Sequence, residues 1–168
     1  MRIAFIGTGT MGQPMVANLV KKGFAVVAYD VVPAALDAAA KLGAAKAASA
    51  AEAARQGELV ITMLPSSSHV EAVYLGEGGV LAAVPKGRLY VDMSTIDPAT
   101  SRRVAEDARR RGARFIDAPV SGAVPRAVEG TLTIMVGGEA SDLEQALPAL
   151  QALGTNVIHV GPVGSGEV

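Results

Sequence analysis

The segment "GTGTMG" places glycines at positions 7, 9 and 12. This G-x-G-x-x-G spacing suits a pyrophosphate. Gly7 allows a tight strand-to-helix turn. Gly9 removes the Cβ that would hold the backbone away from phosphates. Gly12 lets the following helix lie close to the strand. The helix N-terminus then offers unpaired N–H groups and partial positive charge to an anion. A tight turn without a ligand uses the same glycines, so context decides. The apolar run "RIAFI" precedes the motif, and helical spacing at Met11, Met15, Leu19 and Val16, Val20 follows it. Strand, glycine loop and helix together point to a dinucleotide.

Asp30 closes the next apolar run, "AVVAYD". A carboxylate there accepts both hydroxyls of an adenosine ribose and repels a 2′-phosphate. No Arg follows it; the next residues are Val31, Val32 and Pro33. This favours NAD over NADP. The alternative is a solvated loop aspartate.

Ligands of an open parallel sheet lie beyond the carboxyl ends of its strands. The strand ends "MLPSSS", "MST" and "APVSG" are therefore expected to converge on the nicotinamide end. Met63, Leu64 and Pro65 offer an apolar wall. Thr95 and Ser121 offer hydroxyls, and Gly122 an uncluttered backbone N–H. Taken singly, each reads more readily as ordinary turn chemistry. His69 and His159 read as surface or structural histidines rather than general bases. Asp92 and Asp117 end strands, where they can cap the turns that follow. No spacing suggests a metal site. Ser121 lacks the G-x-S-x-G elbow of a hydrolase nucleophile.

The elements that must carry these groups alternate along the chain. Strands are expected at "RIAFI", "AVVAYD", "ELVITML", "GRLYVDMS", "ARFIDAPV", "GTLTIMVGG" and "TNVIHVG". Helices are expected from Thr10 to Gly23, and at "VPAALDAAAKLG", "SAAEAARQG", "SSSHVEAVYLG", "DPATSRRVAEDARRRG" and "SDLEQALPALQALG". Ser49 and Glu52 match the reciprocal capping pattern. Asp97 and Pro98 read as a cap and first helical residue. The alternation implies an α/β fold, a doubly wound, mostly parallel sheet of the Rossmann type.

Composition narrows the class further. Of 168 residues, 50% are hydrophobic and 18% charged, so a packed core is expected and disorder is not. With 15 Lys and Arg against 16 Asp and Glu, the formal net charge is −1, which gives no case for nucleic acid or an anionic membrane. The basic run Arg109–Arg114 reads as a helix C-terminus complementing the backbone dipole. There is no Cys, hence no disulfide and no thiolate nucleophile. No apolar run approaches the ~20 residues of a membrane span. A cytoplasmic protein is the default expectation.

Five segments in order, "IAFIGTGTMGQPMVANLVKKG", "VITMLPSSSHVEAVYLG", "VDMSTIDP", "DAPVSG" and "GTLTIMVGG", resemble the β-hydroxyacid dehydrogenases. The resemblance runs from Met1 to Val168. It implies reversible, NAD-linked oxidation of a short 3-hydroxy acid, such as 3-hydroxyisobutyrate, to its semialdehyde. It implies that Gly7, Thr8, Gly9, Thr10, Met11 and Gly12 form the cofactor loop. Asp30 would hold the ribose, Leu64 and Pro65 line the cofactor cleft, and Thr95 lie near the nicotinamide. Ser121 and Gly122, with Ala123 beside them, would bind the substrate carboxylate.

The family's general acid/base is a Lys, expected about two residues beyond Val168. A helical domain that completes the substrate pocket and builds an oligomer follows it in the family. Residues 1–160 are thus expected to form the dinucleotide-binding domain and 161–168 to open an interdomain connection. This chain is expected to bind NAD, to be incompetent alone, and to expose apolar surface on its last strands. Two departures bear on the substrate. Ala123 replaces a second Gly, and Arg126 either meets a second anionic group or is solvated. A non-catalytic dinucleotide-binding module remains an alternative, as do the tartronate semialdehyde reductase and imine reductase relatives.

Overall fold

Short runs of aliphatic residues with no polar alternation need cover on both faces. The sheet supplies it. The computed structural model describes residues 1–84 and 86–168. Its parallel half consists of β1 (Arg2–Ile6), β2 (Ala25–Tyr29), β3 (Ala45–Lys46), β4 (Leu59–Thr62), β5 (Leu89–Asp92) and β6 (Arg114–Asp117). Then come β7 (Val120–Ser121), β8 (Leu132–Gly137) and β9 (Gly154–Gly161). The strand order is β3-β2-β1-β4-β5-β6-β8-β7, with β9 on β8. β8 runs antiparallel to β6 and β7, and β9 parallel to β8.

The connecting helices are α1 (Gly12–Lys21), α2 (Pro33–Lys41), α3 (Ala50–Gln56), α4 (Ser67–Leu75), α5 (Val80–Ala83), α6 (Pro98–Arg110), α7 (Ala123–Glu129) and α8 (Ala140–Leu153). Alternate strand residues feed two cores. Phe5, Leu59, Ile61 and Leu89 pack with Met15 and Leu19 of α1 and Leu150 of α8. Ile6, Val60, Tyr90 and Phe115 pack on the other face with Tyr74 of α4 and Val104 of α6. The Tyr74 ring meets Tyr90 and Phe115 edge-on, at 5.6 and 5.5 Å between centroids.

Most helix boundaries follow the expected caps. Asp97 accepts from the Ala99 N–H at 2.8 Å, with Pro98 first in α6. The Arg109–Arg111 stretch is tied back to Glu106 and Asp107 as a solvated helix end. The capping box at α3 is shifted by one residue. Ser49 Oγ accepts from Glu52 N–H at 3.0 Å, but the Glu52 carboxylate accepts from Ala48 N–H, not Ser49.

Several expectations need correction. "ARFIDAPV" is two strands, because Pro119 has no N–H to continue the ladder after Asp117. β3, α5 and α7 are additional elements. α7 is held from outside: the Asn18 amide of α1 donates to the Ala127 carbonyl at its end, at 2.7 Å. Val128, Ile158 and Val160 stand exposed on α7 and β9.

α8 runs unbroken through Pro148, which withholds an N–H from the Glu144 carbonyl. Pro148→Ala is expected to raise stability by about 1 kcal/mol. The helical gain of up to ~3 kcal/mol is partly offset by the entropy proline removes from the unfolded chain. Urea unfolding checks this; a midpoint unchanged or lower would show that the helix already accommodates the ring.

Candidate functional site

The chain runs outward from β1 to β2 and β3, then returns across β1 to β4. The loops after β1 and β4 therefore diverge, and a crevice opens between them. Gly7 sits at its base with φ 102°, and a Cβ there would overlap the Met63 carbonyl. A Cβ on Gly12 would overlap the Gly7 carbonyl. Around Gly9 nothing lies within 4 Å of a built Cβ. Two glycines thus serve close packing, and the third leaves an open surface at the start of α1.

A cleft of about 350 Å³ occupies the crevice, lined by Gly7, Gly9, Asp30, Val32, Leu64 and His69 among others. A recess of about 200 Å³ shares Gly9 and Leu64 and adds Thr10, Met11 and Gly12. The Asp30 carboxylate accepts from the Thr8 N–H at 2.7 Å and from the Val32 N–H at 2.8 Å. It therefore fixes the glycine loop to the end of β2, and each oxygen retains a lone pair for a ligand hydroxyl. Thr8 is buried, and its Oγ1 has no partner among the described residues. Gln13 Nε2 closes the loop by donating to the Thr8 carbonyl at 3.0 Å.

These positions fit a dinucleotide: a carboxylate for a ribose, an open backbone for phosphates and an apolar wall. Gly7, Gly9, Thr10, Met11, Gly12, Asp30, Leu64 and Pro65 come together around the two recesses, and Thr8 lines neither. Thr95, Ser121, Gly122 and Ala123 line neither recess. Thr95, Ser121 and Ala123 are exposed, on the loop after β5 and at the β7–α7 junction. Sequence reading gave His69 no role, yet it lines the cleft, with Nδ1 2.7 Å from Ser66 Oγ. A helix whose first turn faces the crevice was the available signal.

A polar network lies beneath the loops, and sequence reading missed it. Asp92 is fully buried. Its Oδ1 accepts from Thr62 Oγ1 at 2.9 Å, Ser94 N–H at 3.2 Å and Ser94 Oγ at 2.6 Å. Ser94 Oγ in turn accepts from the Leu64 N–H at 2.8 Å, so the cleft wall is anchored to Asp92. Burial lifts the Asp92 carboxyl to about 6, against the hydrogen bonds from Ser94 and Thr62. Asp117 does not cap its own turn. It accepts from the N–H groups of Gly164 and Gly166 at 2.8 and 3.0 Å and holds down the strap after β9. Burial raises it as well. Glu167, in a 3-10 turn (Ser165–Glu167), accepts from the Ile96 N–H at 3.0 Å.

The glycine turn at the strand reversal, the acid ending β2 and the open helix start define a dinucleotide-binding domain of the Rossmann class. Residues 2–161 match the NAD binding domain of 6-phosphogluconate dehydrogenase, and the chain belongs to that family. It is 47% identical to an NAD-dependent L-serine dehydrogenase of Pseudomonas aeruginosa over 99% of its own length and 56% of that protein's. It is 44% identical to mouse mitochondrial 3-hydroxyisobutyrate dehydrogenase, over 98% of this chain and 49% of the mouse protein. A solved Mycobacterium tuberculosis 3-hydroxyisobutyrate dehydrogenase with L-serine superposes with a TM-score of 0.95 at 43% identity, covering 99% of this chain and 56% of that one. The chain spans about half the length of the curated relatives it matches. Among the described residues no helix is long and apolar enough to cross a membrane, and no group of side chains is arranged to hold a metal ion.

The glycines give a sharp contrast. Gly7→Ala is expected to lose several kcal/mol, from overlap with Met63 and a disfavoured φ. Gly9→Ala is expected to stay within about 1 kcal/mol of the parent. Equal melting losses for both variants would contradict this division of roles. Ala123 adopts φ 57°, the one left-handed residue other than glycine among those described. Ala123→Gly should gain about 1 kcal/mol by relieving it. A loss of stability in urea unfolding would show that the methyl contributes packing worth more than the strain.

Proposed function

We propose that this chain binds NAD in the cleft, as the cofactor-holding part of a dehydrogenase of short 3-hydroxy acids. The observation that carries the reading is the open backbone at Gly9 beside an Asp30 carboxylate already aimed into the cleft. Asp30 takes the ribose hydroxyls on its remaining lone pairs, and its charge disfavours a 2′-phosphate. The backbone of Thr10, Met11 and Gly12, which lines the recess beside Gly9, receives the pyrophosphate. Leu64 and Pro65 exclude water from one side of the cofactor. When bound, the cofactor supplies a hydride acceptor.

Thr95 then lies toward the nicotinamide end, and Ser121 and the Gly122 N–H receive the substrate carboxylate. L-Serine and 3-hydroxyisobutyrate are both short 3-hydroxy acids, which supports the class and leaves the particular acid open between them. The loops Met93–Ile96 and Ala118–Ala123 contain no Lys and no His. The resemblance to the β-hydroxyacid dehydrogenases implies a lysine for the hydroxyl proton, which these loops do not supply, and residues 1–160 as the cofactor-binding domain. That same lack is what favours the second reading, a dinucleotide-binding module without catalysis.

NADH fluorescence titration tests the reading. The parent should bind NADH more tightly than NADPH. Gly9→Val should melt like the parent and bind NADH about tenfold or more weakly. Equal NADH affinity in the two proteins would remove the pyrophosphate from Gly9. Neither L-serine nor 3-hydroxyisobutyrate should be turned over by the 168-residue chain. A steady NAD-dependent rate would return the proton to a residue within it. A shift of the NADH titration by either acid would favour the dehydrogenase over the bare module.

A further inference from the structure

Three carboxyl groups meet where the strap after β9 crosses the ends of β5 and β6. They come from Asp92, Asp117 and Glu167. Their hydrogen bonds are unequal. Asp117 accepts backbone N–H groups on both oxygens. Asp92 accepts three donors on Oδ1, while Oδ2 is buried with no partner. Glu167 accepts only the Ile96 N–H on Oε2, and Oε1 is buried with no partner. A buried carboxylate with one donor facing two others with more is the member that keeps a proton.

We propose that Glu167 is a positioning residue whose proton clasps the strap to the sheet and so fixes the loop Ser94–Ile96 beside the cofactor cleft. That loop is pinned at both ends. Ser94 is held by Asp92 and itself holds Leu64. Ile96 is held by Glu167. Thr95 lies between them. With Glu167 neutral, no third charge is added beside Asp92 and Asp117, and the strap stays docked through the Ile96 N–H bond. When the proton leaves to solvent, three negative charges share one buried site, and the strap is pushed off Ile96.

Other groups around the strap do not reverse this. Arg102 of α6 lies against Gly164 and favours the charged form. Arg103 is paired with Glu71, and Arg114 of β6 with Asp142. His159 of β9 contacts the Gly138 carbonyl. Tyr74 of α4 reaches Asp92 only through Thr62. Burial, reinforced by Asp92 and Asp117, outweighs these influences and lifts Glu167 to about 8. The folded state therefore binds this proton more tightly than the unfolded state. The clasp is complete below the ordinary glutamate range and is lost as pH rises through about 8.

The test is amide hydrogen exchange of Ile96, Gly164 and Gly166 in the 168-residue chain from pH 6 to 9, corrected for intrinsic exchange. NADH titration runs in parallel. In the parent, protection should fall as pH rises, with NADH binding weakening about fivefold or more. Glu167→Gln carries no proton to lose, so both profiles should lose the step near pH 8 and keep only the change near 6 that belongs to Asp92. Asp92→Asn removes one repelling charge, so Glu167 gives up its proton more readily and the parent's transition should move to lower pH. A Glu167→Gln profile that tracks the parent, or a parent already flat, overturns the clasp. The effect on NADH rests on the proposed cofactor reading. If NADH fails to bind at any pH while the amides still respond, that reading falls and the clasp stands.

Discussion

The ligand end of this molecule depends on one close approach, where the backbone at Gly7 touches the backbone at Met63. β1 and β4 are neighbours, and both chains must leave the sheet at the same level. A side chain at Gly7 would drive the two turns apart. Gly12 repeats the constraint one turn later by resting on the Gly7 carbonyl. The start of α1 is thereby set against the strand ends, and Thr10, Met11 and Gly12 line the recess there. Asp30 completes the arrangement by gripping Thr8 from the end of β2. Steric need and ligand chemistry select the same loop sequence, and Gly9 is the position where they separate.

Below the loops the balance is different. Asp92, Ser94 and Thr62 are fully buried at the strand ends. Burying an ionisable group costs stability unless its lone pairs are met, and one Asp92 oxygen is not. What the network supplies is position. Asp92 fixes Ser94, Ser94 fixes Leu64, and Leu64 belongs to the cleft wall. Asp117 does the same for the strap through Gly164 and Gly166, where added Cβ atoms would crowd Arg102 and Asp117 respectively. The acids at the ends of β5 and β6 act as anchors for three loops that the apolar core cannot reach.

Much of this was legible in the sequence because the strands are short aliphatic runs and the helices carry caps. Asp97–Pro98 and Ser49 announce α6 and α3 by chemistry that needs no tertiary partner. α7 was not legible. It spans seven residues, starts from the consecutive positive φ values of Gly122 and Ala123, and contains Pro125. Its end is held by Asn18, far away in the chain. β3 is two residues long and exists only through its pairing with β2. Glu167 carries no local signal, because the burial of a carboxyl is a property of what folds over it. The cofactor loop could be read because its spacing is local. The carboxyl network could not, because its members come from three distant segments.

The same distinction divides the cleft from the substrate loops. Asp30, Val32, Leu64 and His69 stand around one cavity. Thr95, Ser121 and Ala123 stand exposed on loops that close around nothing. Charge–dipole and hydrogen-bond contacts are weak where water competes for them and strong where it is excluded. The cavity beside Asp30 is therefore where this chain can hold a ligand most firmly. A group held at Ser121 or the Gly122 N–H gains orientation and little affinity while water competes there. The cavity is a property of the sheet and its glycine turn, and the loops at Thr95 and Ser121 have no part in enclosing it.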